Sequence, residues 1–450
     1  MKKRDWLVLI YSILYFVCSQ PVIASVILLD SLCTDKASGY SMQTKIVSCK
    51  INGVRKTHFA YCRAEKNKKF TPWQTMSVWV ATFDHQKNEI ESRTLLGNIF
   101  DNHGTPCLTV DSDGYLHIVY GPHHHPFIYQ KSKFPNNSTE WQEKEIISYE
   151  FGLIDESNPY WKSEEFIEKK GKSEWTYPII KIDRENGIHI AGSLGHSAAY
   201  VRKVNGVWEQ PRLIYKAKRN LCRYNVMMNI DQNGKIYILV PEVVIETNSN
   251  KYYQFDAEYF LFRSPDDGNT FENLGLVISG HFQGNGNVAI DDAGNVHFLC
   301  IERSFENHRW QCHLLFDGFK WHKQNLILPE RYIWDSSLNI NRKGDIQILS
   351  AANKSDNHWR DASNEIYLFS GKLVDKNKYT FTNKKIVPKQ AEINTWLPNL
   401  EENQLHADFK NNNYFIMWTE EPDLKGKFTS HKNSVLTTKL FIKQVKNQSF

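Results

Sequence analysis

Past its first residues this sequence has no apolar run long enough to span a bilayer, and nothing in it reads as a long amphipathic helix. It has no concentrated charge either. A net charge of +5 spread over 450 residues, with no basic stripe, argues against nucleic acid as a partner. Cysteine is sparse: eight residues at irregular spacing, seven beyond Cys18, do not make a dense disulfide scaffold. No Pro/Gly/Ser-rich linker appears near residue 250, which disfavours a split into two β domains.

The start is distinctive. Lys2, Lys3 and Arg4 precede an apolar run from Trp6 to Val17, and Val22-Ile23-Ala24 supplies a cleavage-like end. That run is too short for a membrane span, so residues 1–24 are expected to be a secretory signal peptide. Cys18 lacks the small residues that precede a lipidated cysteine. Residues 25–450 are expected to be one secreted or periplasmic domain, acting as a monomer with no membrane span. The aromatic share, 13% with 13 Trp and 21 Tyr, suits sugar faces and a β-rich core equally.

A turn signal recurs between β-rich runs: VDSDGYLHIVY around Gly114, IDRENGIHIAG around Gly187, IDQNGKIYILV around Gly234, IDDAGNVHFLC around Gly294 and INRKGDIQILS around Gly344. A degenerate copy, DFKNNNYFIMW, lies near Asn412. Asp and Asn tolerate tight turns, Gly supplies positive φ, and the residues after each Gly alternate with period 2. Spacings of 47 to 73 residues are blade-sized. THFAYCRA (57–64) and SVWVATFD (77–84) add a unit upstream. About seven repeats of four strands predict an all-β fold, a single seven-bladed β-propeller. Ser264-Pro265-Asp266-Asp267-Gly268-Asn269-Thr270-Phe271 fits an Asp-box, a hairpin turn of propeller outer edges. A Trp precedes several outer strands (Trp141, Trp208, Trp321) as a wedge between blades.

Loops of one propeller face line a funnel, so site residues come from distant positions. The hairpin from Leu108 to Val119 brings Asp101-Asn102-His103-Gly104 and Gly121-Pro122-His123-His124-His125 to one rim. Imidazoles there suit proton transfer or charge neutralisation, or are a polar rim. Tyr177, in Trp175-Thr176-Tyr177-Pro178, is a candidate acid or base if cations lower its pKa, or a packed aromatic. Arg223 and Tyr224 hold the equivalent place one repeat later, where Arg suits a carboxylate or an interblade salt bridge. His297, Cys300, His308, Cys312 and His313 cluster locally. Four of them, His297, Cys300, Cys312 and His313, are candidates for a structural zinc, with buried thiols or a disulfide as alternatives.

D-N-H-G-x-P, then V-D-x-D-G-x-L-H-I-x-Y-G-x-H, then W-T-Y-P, resembles the BNR-repeat propeller family that includes ulvan lyases and enzymes acting on rhamnosyl-glucuronate linkages, α-L-rhamnosidases among them. The likeness is strongest over residues 98–130 and 174–190. It implies β-elimination at a uronic acid of a polysaccharide or oligosaccharide, with no cofactor required. His103 and His123 match the family histidines, with His124 as the alternate. Tyr177 matches the tyrosine that serves as base, and Tyr224 a further funnel tyrosine. The family arginine is expected near 193 or 194, where this chain has Ser193 and Leu194; Arg223, Arg202 or His196 would have to substitute. A hydrolase of the rhamnosidase type and a non-catalytic carbohydrate-binding propeller are the alternatives. Against hydrolysis, no acidic pair stands on the histidine rim, Asp101 and Asp155-Glu156 being the nearest acids.

Overall fold

The computed structural model describes residues 26–34, 36–64, 76–99, 104–121, 126–147, 175–194, 197–216, 226–245, 255–303, 308–341, 344–354, 363–390, 393–402, 413–422 and 438–446. Among the described residues there is no helix, and so none long and apolar enough to cross a membrane. The strands form antiparallel sheets. Unit 1 comprises Ile46–Ile51, Val54–Ala64, Met76–Asp84 and Glu89–Ile99, and unit 2 comprises Cys107–Val110, Leu116–Tyr120, Phe127–Lys131 and Glu145–Ile147. Unit 3 comprises Trp175–Ile182, Ile188–Leu194 and Ser197–Val204, with its outer strand broken into Val207–Trp208 and Arg212–Lys216. Unit 4 runs from Met227 to Gly280, unit 5 from Phe282 to Leu326 and unit 6 from Tyr332 to Val387, four strands each. Unit 7 pairs Ile393–Leu400, Asn413–Pro422 and Thr438–Lys446 with Val26–Cys33, the strand earliest in sequence. Units 7 and 1 share one sheet through a single backbone pairing, Cys33 with Arg63.

Burial explains which strand goes where. First strands are covered on both faces: every residue of Trp175–Ile182 is buried. Outer strands such as Glu89–Ile99 alternate exposed and half-buried along most of their length. The first strand of each unit packs on the first strand of the next, and Ile46–Ile51 also touches Asn413–Pro422 of unit 7. Each apolar cluster straddles neighbouring units. One joins units 1 and 2, one joins 2 and 3, and a larger one spans 3 to 5. Two more join 5 to 6 and 6 to 7, and the last puts Phe415 and Leu440 of unit 7 against Phe59 and Phe83 of unit 1.

The recurring turns are carboxylate-capped. In unit 2, Asp111 Oδ1 accepts from the N–H groups of Asp113 (3.1 Å) and Tyr115 (2.8 Å). Asp183, Asp231 and Asp291 repeat this two and four residues on. The second oxygen has another task. Asp111 Oδ2 lies 3.0 Å from His117 Nε2, whose Nδ1 is 2.7 Å from the Tyr129 hydroxyl. Asp183, His189 and Tyr200 form the same buried relay at 2.9 and 2.6 Å. These repeated histidines are thus turn staples. Burial pushes the Asp111 carboxyl up, but the His117 contact outweighs it and holds the group below its ordinary value.

The Asp-box forms as the sequence indicates. Asp266 Oδ1 accepts from Ser264 Oγ (2.9 Å) and the Thr270 N–H (2.9 Å), and Asp266 Oδ2 accepts from the Thr270 hydroxyl (2.7 Å). Of the tryptophan wedges, Trp208 bridges units, donating to Glu145 Oε2 (2.6 Å) with its ring 5.2 Å from that of Tyr129. Trp321 instead stacks on Phe316 of its own unit, and Trp141 donates to the Ser138 carbonyl in its own turn.

The join between units 1 and 2 sets a pH dependence. His58 is fully buried, with Nδ1 2.9 Å from Thr82 Oγ1 and Nε2 3.1 Å from Asn136 Oδ1 of unit 2. Burial pushes its pKa down from 6.5 to about 4. The unfolded chain therefore takes up a proton near pH 6.5 that the folded chain refuses until about pH 4. Stability is lost as pH falls through this window, by about 3 kcal/mol from this group. Urea titrations at pH 7 and pH 4.5 check this: the midpoint drops at the lower pH, and His58→Gln reduces the drop.

Candidate active site

The first strands begin, and the second strands end, at one end of the units, opposite the Asp-capped turns. At this end the Gly121 N–H donates to the Gly104 carbonyl (3.0 Å). A Cβ on Gly104 would lie 2.9 Å from the Gly121 backbone, so the two segments meet at a spacing only glycine allows. The hairpin's ends thus lie at one level, pinned at the residues next to the loops that carry His103 and His123. His103, His123, His124, His125, His196, Arg223 and Tyr224 lie outside the described residues.

Tyr177 is described, and its backbone is unusual. It has φ +51°, and the pairing of its strand with Ile188–Leu194 shifts register between Thr176 and Ile179. A left-handed non-glycine residue costs about 1–2 kcal/mol, so the surroundings must hold it. Gln43 does so: its Nε2 donates to the Pro178 carbonyl (3.0 Å) and its Oε1 accepts from the Thr105 hydroxyl (2.7 Å). The Tyr177 ring is buried, edge-on to Tyr40 with centroids 5.0 Å apart.

Leu397 of unit 7 repeats the device without the chemistry. It too has φ +51°, precedes a proline and sits at a register shift, with the Ser38 hydroxyl donating to its carbonyl (3.0 Å). The left-handed bulge is therefore a feature of the frame, and the phenol is what unit 3 adds to it.

Tyr40, Gln43 and Ser38 belong to a segment, residues 36–45, that forms a floor across the first strands. Ser38 Oγ lies 2.7 Å from Thr419 Oγ1, and Asn399 Nδ2 donates to the Ser38 carbonyl (3.2 Å). Ser41 Oγ donates to Asp335 Oδ1 (2.7 Å), and its carbonyl accepts from Asn287 Nδ2 (2.8 Å). Lys45 donates to Gln43 Oε1 (3.0 Å) and to the Pro106 carbonyl. Burial pushes the Lys45 ammonium down to about 8. One segment thus bonds to units 2, 3, 5, 6 and 7. Nothing in the sequence announces it: KASGYSMQTK has no periodicity and no motif.

Asp335 is a second group the sequence does not announce. Its Oδ2 has no hydrogen-bond partner among the described residues, and burial pushes the carboxyl up to about 7.

Of the three possible substitutes for the missing cation, Arg202 is the one among the described residues. Ser193 is buried opposite Thr176, and Leu194 pairs with Trp175, so no charge stands at these positions. Arg202 does not replace it. It pairs with His189 towards the turn end, where its Nη2 donates to Glu209 Oε1 (2.8 Å) and Asn269 Oδ1 (2.7 Å), anchoring the Asp-box. The zinc candidates do not converge. Cys300 faces Cys312 across the ladder, while His297 Nδ1 lies 3.1 Å from His313 Nε2. Strand alternation sends the thiols into the cluster of units 3 to 5 and the imidazoles to the opposite face of the sheet. His308 stacks on Tyr332 with the ring planes 5° apart. Asp183, His189 and Asp267 do offer ligand atoms within 4.8 Å of one another. There both His189 nitrogens are engaged, by Asp183 and Tyr200, so the ring directs no lone pair at a cation.

The repeated Asp-capped turns agree with the sequence comparison. Residues 51–191 match a family described as BNR repeat-containing. No curated protein matches the chain. Among solved structures, the chain is similar to a PL25 ulvan lyase bound to -[GlcA(1-4)Rha3S]-, with 14% identity, 94% of this chain and 96% of that one covered, and a TM-score of 0.62. It is also similar to the polysaccharide lyase Uly1, with 10% identity, 92% of each chain covered and a TM-score of 0.50. At these identities the likeness is one of fold: an all-β, propeller-like architecture.

Proposed function

We propose that this chain is a secreted or periplasmic polysaccharide lyase that cleaves a uronic-acid-containing, ulvan-like glycan of rhamnose and glucuronate by β-elimination. In this reading residues 1–24 are a signal peptide, and residues 25–450 close into a single seven-bladed propeller whose blades are the seven units. The observation that carries it is Tyr177: a phenol held in a left-handed bulge, beside Tyr40, at the end where Gly104 and Gly121 pin the histidine-bearing loops. The tyrosine takes the C5 proton, the C4–O4 bond breaks, a C4–C5 double bond forms, and O4 leaves with a proton that the same phenol can return. His103 and His123, with His124, Arg223, Tyr224 and His196 around them, bind the sugar and offset the charge that develops on its carboxylate. No cofactor is called for.

A hydrolase acting on rhamnosyl-glucuronate ends is the second reading, favoured by the absence of a cation at Ser193 and Leu194, since hydrolysis does not need a uronate carboxylate to be neutralised. The test is incubation with rhamnose- and uronate-containing polysaccharides, read by absorbance in the unsaturated-uronate band. The lyase reading expects that band to grow. Free rhamnose without it supports the hydrolase, and binding without any product supports a non-catalytic propeller.

A further inference from the structure

A base removes a proton at a useful rate only when it is held at a fixed distance from the sugar. Here the two sides of that distance belong to different units. The chain that carries His103 enters unit 2 through Gly104 and Thr105, while Tyr177 begins unit 3.

One side chain touches both. Gln43 is wholly buried, and its Nε2 donates to the Pro178 carbonyl (3.0 Å) and the Thr105 carbonyl (3.3 Å). Its Oε1 accepts from the Thr105 hydroxyl (2.7 Å) and the Lys45 ammonium (3.0 Å). These bonds occupy both donors and both lone pairs of the amide, and they fix its orientation, because an ammonium can only donate and a carbonyl can only accept. The backbone below is anchored as well. The Gln43 N–H donates to the Tyr40 carbonyl (3.1 Å), the Leu108 N–H of unit 2 to the Thr44 carbonyl (2.8 Å), and the Ala60 N–H of unit 1 to the Lys45 carbonyl (2.8 Å). The amide thus reaches unit 3 from a base fixed to units 1 and 2. Ser38 makes the contrast: its hydroxyl meets Leu397 and Thr419, both of unit 7, and steadies a bulge that has no phenol.

We propose that Gln43 is a positioning residue: it holds the Tyr177 bulge and the base of the His103 loop in one register, and so sets the distance from the phenol to the C5 proton of the bound sugar. The proposal rests on the lyase reading. Gln43 acts through the backbone of Pro178 and Thr105.

The test measures kcat and KM on a uronate polysaccharide for Gln43→Met, Gln43→Glu and Ser38→Ala, and repeats Gln43→Met in a Tyr177→Phe background. Gln43→Met keeps the length of the side chain and lowers kcat by about 10²-fold with little change in KM. Gln43→Glu keeps an oxygen for the Thr105 hydroxyl and the Lys45 ammonium but loses the donor to Pro178, so its kcat falls in the same way while the buried pairing with Lys45 is retained. Ser38→Ala, which removes a floor bond to the Leu397 bulge, leaves kcat unchanged. In the Tyr177→Phe background Gln43→Met removes little further rate, because no phenol is left to align. Wild-type kcat in Gln43→Glu overturns the proposal and leaves the lyase reading standing, as does the same fold loss from Gln43→Met in both backgrounds. A wild-type protein that forms no unsaturated product overturns both.

Discussion

Tyr177→Phe lowers kcat/KM on a uronate polysaccharide by about 10²–10⁴-fold, the range for removing a positioned acid–base group. The fold survives. The ring that packs against Tyr40 is kept, the left-handed backbone is held by Gln43 through Pro178, and only one oxygen is deleted. The stability change is that of a single hydrogen bond, about 1 kcal/mol. Initial rates on the polysaccharide, alongside a thermal melt, separate the two effects. A Tyr177→Phe protein as active as wild type removes the tyrosine from the chemistry. The matching change in unit 7, Leu397→Met, keeps an apolar side chain on the same bulge and leaves the rate unchanged.

Phe415→Ala has the largest expected effect on stability, a loss of about 3–5 kcal/mol. Phe415 is wholly buried in unit 7, yet its ring neighbours belong to unit 1: Phe59 at 5.3 Å, Phe83 at 5.0 Å and His85 at 5.7 Å. It fills the seam where the last unit in sequence meets the first, and alanine leaves a cavity on both sides of it. Phe319→Ala is the control, since Phe319 is 94% exposed and packs on nothing that the fold requires. Denaturant midpoints measure both. If Phe415→Ala costs no more than Phe319→Ala, units 1 and 7 do not share a core and the proposed closure is wrong.

The parts of this molecule that are legible in its sequence are those held by short-range bonds. Asp111 caps its turn through residues two and four positions on, and Asp266 holds the Asp-box through Ser264, two positions back, and Thr270, four on, so the repeat declares itself locally. The floor is the opposite case. Ser38 bonds to Leu397 and Thr419, and Ser41 to Asn287 and Asp335, hundreds of residues away, and no pattern in residues 36–45 points to them. Tyr40, whose ring meets Tyr177, is hidden with it. The closeness in sequence of His297, Cys300, Cys312 and His313 does not carry over to one face of the sheet. His297 and Cys300 are three residues apart on one strand, an odd spacing that places them on opposite faces. Trp396-Leu397-Pro398 stood in plain view beside Trp175-Thr176-Tyr177-Pro178, but only the backbone angles reveal that Leu397 and Tyr177 occupy the same kind of bulge.

The source of the oxygen at the new chain ends decides between elimination and hydrolysis most directly. Wild-type protein is incubated with a rhamnose- and glucuronate-containing polysaccharide in heavy-oxygen water, and the oligosaccharides are weighed by mass spectrometry. The account predicts unlabelled products, in which the fragment that carries the cleaved uronate has a C4–C5 double bond and is one water lighter than its hydrolytic counterpart. Saturated products carrying one solvent oxygen would contradict it.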